Sequence, residues 1–160
     1  MRIEIKIKLQ NLDVIDNNQV RIKSYRISSA INGVGQKKDS FCTPLGKHIV
    51  RAKIGSDQPI NTVFIKRRPT GEIYTPELGA SYPGRDWILT RILWLSGCEL
   101  GFNRLGLVDT MRRFIYIHGS PNCINMGKPG SIGCIRMFST DLLELFDLVD
   151  VGTEVNIKEN

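Results

Sequence analysis

The chain has 160 residues, enough for one domain over residues 1–160 with a proper buried core. Its apolar share of 41% and charged share of 24% are those of an ordinary globular protein, and no apolar run approaches the ~20 residues of a membrane span. The net charge of +6 fits an anionic substrate or simple solubility. The longest basic run, Lys66-Arg67-Arg68, stops at Pro69 and has no interleaved aromatics, which argues against nucleic-acid binding.

From the N-terminus, Ile3, Ile5, Ile7 and Leu9 alternate with Arg2, Glu4, Lys6 and Lys8, the period of a strand with one wet face. The same charges leave no signal-peptide core, so the chain is expected in the cytoplasm, or in the periplasm if a leader was trimmed. Asp16-Asn17-Asn18 marks a turn, after which Val20, Ile22 and Ile27 are expected to form a second strand pairing back on the first. Thr43-Pro44-Leu45-Gly46 is a rigid turn leading into a strand over 48–54, and 61–66 is another β-rich stretch. Residues 68–86 hold three prolines and three glycines and are expected to form a long loop, a candidate lid. Residues 88–96 read as a buried strand, with a length that also allows a short helix. Ser139-Thr140-Asp141 offers N-cap side chains to a helix whose Leu142, Leu145, Phe146 and Val149 share one face, with Gly152 to end it. Val155 to Ile157 completes the pattern as a short strand. The sum is a mainly β single domain, with one main helix near the C-terminus.

The candidate chemistry lies between Phe114 and Met137. Phe114, Tyr116 and His118 fall on one face of a strand, and Cys134 follows after a Gly-, Pro- and Asn-rich loop. A thiol attacks as thiolate, so a loop returning Cys134 to His118 would supply the base or cation that lowers its pKa. The amides near Gly133 and Cys134 could then form an oxyanion hole. Other readings stay open on pattern alone. A free cysteine is most often a small buried hydrophobe, and His118, Cys123 and Cys134 could be zinc ligands, although their spacing matches no common module and a fourth ligand is missing. The four cysteines (Cys42, Cys98, Cys123, Cys134) contain no CxxC pair and are expected to be reduced. Cys42 and Cys98 are expected to be structural, Cys123 exposed, and Trp87 and Trp94 part of the core.

The residues Ile117-His118-Gly119-Ser120 and, after the loop, Ser131-Ile132-Gly133-Cys134-Ile135-Arg136-Met137 resemble the signature of the L,D-transpeptidase (YkuD-like) catalytic domain. Thr43-Pro44-Leu45-Gly46 and the stretch from Leu148 to Ile157 extend the resemblance over about residues 20–157. It implies a β-sandwich-like fold acting on peptidoglycan stem peptides or muropeptides, with carbapenem-type β-lactams as covalent inhibitors and no metal or other cofactor. It places the nucleophile on Cys134, the base on His118 and the carbonyl that orients the imidazole on Gly119. Ser131 would support the loop at the substrate site, and Arg136 would hold a substrate carboxylate. Ile132 departs from the pattern, because most members have a second histidine there. The resemblance leads to a thioester acyl-enzyme released by water (an L,D-carboxypeptidase of wall recycling) or by an amine (a 3→3 cross-linking transpeptidase). The absent export signal favours water. A module that binds muropeptides without turning them over is the remaining expectation.

Overall fold

The computed structural model describes residues 1–160. Ten strands and two α-helices follow in order: β1 (Arg2–Lys6), β2 (Asn11–Ile15), β3 (Arg21–Arg26), β4 (Gly46–Ile54), β5 (Thr62–Ile65), β6 (Arg68–Ile73), α1 (Pro76–Ser81), β7 (Ile88–Gly97), β8 (Tyr116–Ser120), β9 (Ile135–Phe138), α2 (Ser139–Leu148) and β10 (Glu154–Lys158). They build one sheet in the order β3-β2-β1-β10-β4-β7-β5-β6, with β8 paired to β7 and β9 paired to β8. β4 pairs with residues 92–97 of β7 and β5 with residues 88–89, while β8 runs along its middle. The sheet curls until its ends meet. Single bridges from Ser28 to Arg136 and from Ala30 to Ser131 lay the chain after β3 along the edge of β9.

The curl encloses the main core. Ile3 and Ile5 of β1, Leu12 and Val14 of β2, Leu93 and Leu95 of β7, and Ile117, Ile135 and Met137 of β8 and β9 meet there. Leu142, Leu145, Phe146 and Val149 bring α2 onto this core, as the helical spacing predicts. Each such buried side chain contributes about 1.5–3 kcal/mol of burial energy as an upper figure. Lys53 from β4 closes the far end of α2, donating to Phe146 O at 2.6 Å and Val149 O at 2.7 Å. A cation there satisfies carbonyls that the helix leaves unpaired.

The first strand stops at Lys6, and an extra strand, β2, lies before the Asp16 turn; β3 therefore pairs with β2, not with β1. The turn at 7–10 has no glycine or proline and places Gln10 at φ 50°, so it carries no sequence signal. Residues 68–86 are not one long loop but contain β6 and α1. β6 is almost wholly exposed, so it has no apolar alternation, and Pro69 is tolerated because the strand is at the sheet's edge. α1 has a readable start: the Thr75 hydroxyl accepts from Leu78 N–H at 3.1 Å, with Pro76 in the first turn. The N-cap of α2 is Phe138, without a side-chain cap. Ser139 is instead buried against β7, where its hydroxyl accepts from Thr90 Oγ1 at 2.6 Å. The helix ends at Leu148, and Gly152 (φ 92°) belongs to the turn before β10. Cys98, expected to be structural, is exposed.

Candidate active site

The site is a consequence of the two-residue period of β8 and β9. The strands are parallel, in the register Ile117 to Ile135 and His118 to Arg136. With Ile117, Ile135 and Met137 committed to the core, alternation sends Tyr116, His118 and Arg136 to the opposite face. Cys134, one residue before β9, continues that face and packs against the separate cluster of Phe64, Ile92 and Tyr116. At Gly119, an added Cβ would lie 2.5 Å from Leu89 O and 2.8 Å from Ser139 Oγ. Only glycine lets β8 lie this close to the irregular stretch of β7 between Leu89 and Ile92.

A small set of hydrogen bonds fixes the turn before Cys134. Ser131 Oγ donates to Cys134 O at 2.5 Å and accepts from Gly133 N–H at 3.2 Å. Thr43 Oγ1 donates to Gly133 O at 2.9 Å and accepts from Ala30 N–H at 2.9 Å. Ser131 and Thr43 are both buried, with their hydroxyls engaged in holding this turn. Gly133 sits at φ +133°, with its N–H already given to Ser131. The Cys134 amide, by contrast, is not spent within the turn.

The Cys134 thiol lies between two backbone groups, donating to Phe114 O and accepting from Tyr116 N–H, each at 3.3 Å. Burial pushes its pKa up to about 12, against the smaller opposing pulls of the Tyr116 N–H and of Arg136 and Arg113. The expected lowering of the thiol pKa is thus reversed, and the resting group is a thiol. His118 is only 1% exposed. Its Nδ1 lies 2.7 Å from Gly119 O, and since a carbonyl only accepts, Nδ1 carries the proton and Nε2 is left as acceptor. Burial holds its pKa below the usual imidazole value, although Asp86 and the Gly119 carbonyl oppose this. The pair at rest is a neutral imidazole and a neutral thiol on one face, without a hydrogen bond between them.

Arg136 forms a wall between two cavities. Its Nη1 donates to Gly130 O at 3.0 Å and its Nη2 to Asp86 Oδ1 at 3.1 Å. Asp86, at the end of the expected lid, therefore reaches the site, which a long loop with no periodicity could not indicate. On one side lies a cavity of about 530 Å³ containing Cys134, Asp86, Phe114 and Ile132. On the other lies one of about 620 Å³ lined by Tyr74, Trp87, Cys123 and Arg136. Ile132 is 55% exposed at the first cavity's mouth. Trp87 is buried with Val63 and Leu89, and Trp94 packs beside Tyr116. All four cysteines are free; Cys123 is exposed and Cys42 half-buried. No three His, Cys, Asp or Glu side chains form a group able to hold a metal ion, so the zinc set of His118, Cys123 and Cys134 does not assemble. No helix is long and apolar enough to cross a membrane.

The model of the L,D-transpeptidase catalytic domain (YkuD) matches residues 1–157, taking in the first hairpin as well as the stretch expected from the motifs. The probable L,D-transpeptidase YbiS of Escherichia coli K12 is 32% identical over 107 residues, 64% of this chain and 34% of that protein. The putative L,D-transpeptidase YkuD of Bacillus licheniformis is 51% identical over 41 residues, 26% of this chain and 25% of that protein. The chain thus aligns with about a third or less of these relatives' length. Among solved structures, an L,D-transpeptidase of Enterococcus faecium matches with TM-score 0.58 and 18% identity, over 98% of this chain and 49% of that one. L,D-transpeptidase 3 of Mycobacterium tuberculosis, in complex with a faropenem-derived adduct, matches with TM-score 0.58 and 15% identity, over 98% and 59%. The chain belongs to the L,D-transpeptidase catalytic-domain family, and its curled β-sheet with one main helix is that fold.

Proposed function

We propose that this L,D-transpeptidase-family domain is a cysteine acyltransferase of peptidoglycan stem peptides, cleaving the L,D bond between the diamino acid and terminal D-alanine. The observation that carries the reading is the 2.7 Å bond from His118 Nδ1–H to Gly119 O, which leaves Nε2 a bare base on the face that also presents Cys134. Rotation of the thiol away from Phe114 O would hand its proton to Nε2 as Sγ adds to the diamino-acid carbonyl. The Cys134 N–H stabilises the oxyanion. Collapse of the adduct breaks the C–N bond, and His118 returns the proton to the departing D-alanine amine. An acceptor then attacks the thioester, giving its proton to His118 and restoring the thiol.

Water is the acceptor in our first reading, making the product a trimmed tripeptide. The Cys134 cavity is open enough to admit it. A second reading, an amine acceptor and a 3→3 cross-link, draws on the neighbouring cavity beyond Asp86 and Arg136, which could seat a second stem. The same thiol is the expected target of carbapenem-type β-lactams. Product analysis by mass spectrometry on a tetrapeptide muropeptide, with and without an acceptor stem, tests both readings. Tripeptide alone supports hydrolysis, joined stems support transfer, and full turnover by Cys134→Ala overturns the mechanism.

A further inference from the structure

The Cys134 cavity contains a cation held rigidly in place whose donors are mostly unused. Lys66 and Arg67 are the two central residues of the hairpin turn between β5 and β6, at φ 50° and 64°. Such turns ordinarily use Asn-Gly or Asp-Gly, because a side chain in the left-handed region costs conformational energy. Strain of this kind persists where the surroundings enforce it, and it concentrates at ligand clamps. Here the enforcing contacts are aromatic. The Arg67 guanidinium carbon lies 4.6 Å from the Trp94 ring centroid and 4.8 Å from that of Phe114. Its Nη1 donates to Tyr116 Oη at 2.9 Å.

Aromatic rings engage the flat face of a guanidinium and leave its edge, where the N–H donors lie, available. The bond to Tyr116 is the only hydrogen bond Arg67 makes in the chain, so most of its five donors are unspent. No ion pair neutralises it, whereas Asp86 in the same wall is bound to Arg136. Tyr116 also couples the clamp to the nucleophile, since its N–H is the one donated to Cys134 Sγ. Lys38, Lys66, Arg112 and Arg113 line the same cavity and outnumber its two carboxylates, Asp39 and the Arg136-bound Asp86, leaving its field positive. Arg136, by contrast, is occupied by Asp86 and Gly130 O and lines the neighbouring cavity.

We propose that Arg67 is the specificity-determining residue of the Cys134 cavity, its clamped guanidinium edge gripping a carboxylate of the acyl donor through two parallel hydrogen bonds. The inference rests on the stem-peptide reading above and names the group that selects the donor. It is tested by binding, which needs no turnover. Dissociation constants are measured by calorimetry for Cys134→Ala protein, with and without Arg67→Met or Arg67→Lys, using a tetrapeptide stem with free carboxylates and the same stem fully amidated. Thermal melts verify that each variant is folded. The expected result is that Arg67→Met weakens the free-carboxylate stem about tenfold or more, as loss of charge-assisted hydrogen bonds predicts, and leaves the amidated stem nearly unchanged. Arg67→Lys recovers only part of the loss, because an ammonium cannot reproduce the fork. Equal weakening of both stems, or of neither, overturns the proposal while leaving the acyl-transfer reading in place. If the Cys134→Ala protein binds neither stem, the substrate reading fails and the proposal falls with it.

Discussion

The two faces of the β8–β9 ribbon are made by the same four-residue register and do opposite work. Ile117, Ile135 and Met137 fill the core on one side with no polar atom to satisfy. On the other side, His118 is buried and Cys134 half-buried; the surroundings disfavour their charged forms, so His118 shifts down and Cys134 up. One face supplies stability through apolar area removed from water. The other holds an imidazole and a thiol in their neutral forms at one cleft. A backbone shared this closely teaches that the reactive face is as precise as the core behind it is rigid.

Paired substitutions on the two faces can break this comparison. His118→Ala is expected to lower turnover about 10³-fold or more, as removal of the base in a coupled nucleophile–base pair does, with a smaller effect on melting than a core truncation. Ile135→Ala, facing the other way, is expected to cost about 2–5 kcal/mol of stability while activity per folded molecule stays within about tenfold. Denaturant titrations and single-turnover rates on both variants decide the matter; equal losses in both readouts for both variants would sink the distinction.

The two histidines sharpen it through pH. His48 is fully buried, its Nδ1 donating to Gly46 O and its Nε2 accepting from Thr110 Oγ1, and burial takes its pKa down to about 4. The unfolded chain takes up a proton near the ordinary 6.5, which the folded state refuses until about 4. Stability present above that ordinary value is therefore lost as pH falls between the two, by about 3 kcal/mol. Urea titrations from pH 7 to 4 should show this loss, and His48→Gln should flatten it. For activity, the lowered His118 pKa places the acid limb of kcat/KM below the ordinary imidazole value; a limb above pH 7 would contradict a neutral base.

The smallest effect is expected at Ile132, exposed at the cavity mouth on neither strand. Ile132→His should change stability by less than about 0.5 kcal/mol, as surface substitutions do, and shift the ratio of hydrolysed to transferred product. Product ratios by mass spectrometry provide the check, with an unchanged ratio excluding Ile132 from acceptor choice.

Legibility followed the range of the forces involved. β1, β4, β7 and α2 were readable because their apolar period is local and matches the core they bury. β2, β6 and α1 escaped for different reasons: a turn with no glycine, an edge strand without a buried face, and a Thr-Pro start whose capping chemistry was present but lay in a loop-like composition. Cys134, His118, Gly119 and Arg136 are legible as a motif. Thr43 belongs to a legible turn, yet nothing local shows that its hydroxyl holds Gly133, 90 residues away.

The sequence alone determined a mainly β domain, the family, and the motif residues His118, Gly119, Cys134 and Arg136, because alternation and motif spacing are properties of short stretches. Tertiary structure alone decided that Asp86 meets Arg136 across 50 residues and that Arg67 stacks on Trp94 and Phe114. It also decided that the thiol pKa moves up. Sheet register and curl bring distant segments together, and the sign of a pKa shift depends on how much water they exclude, which no local pattern records.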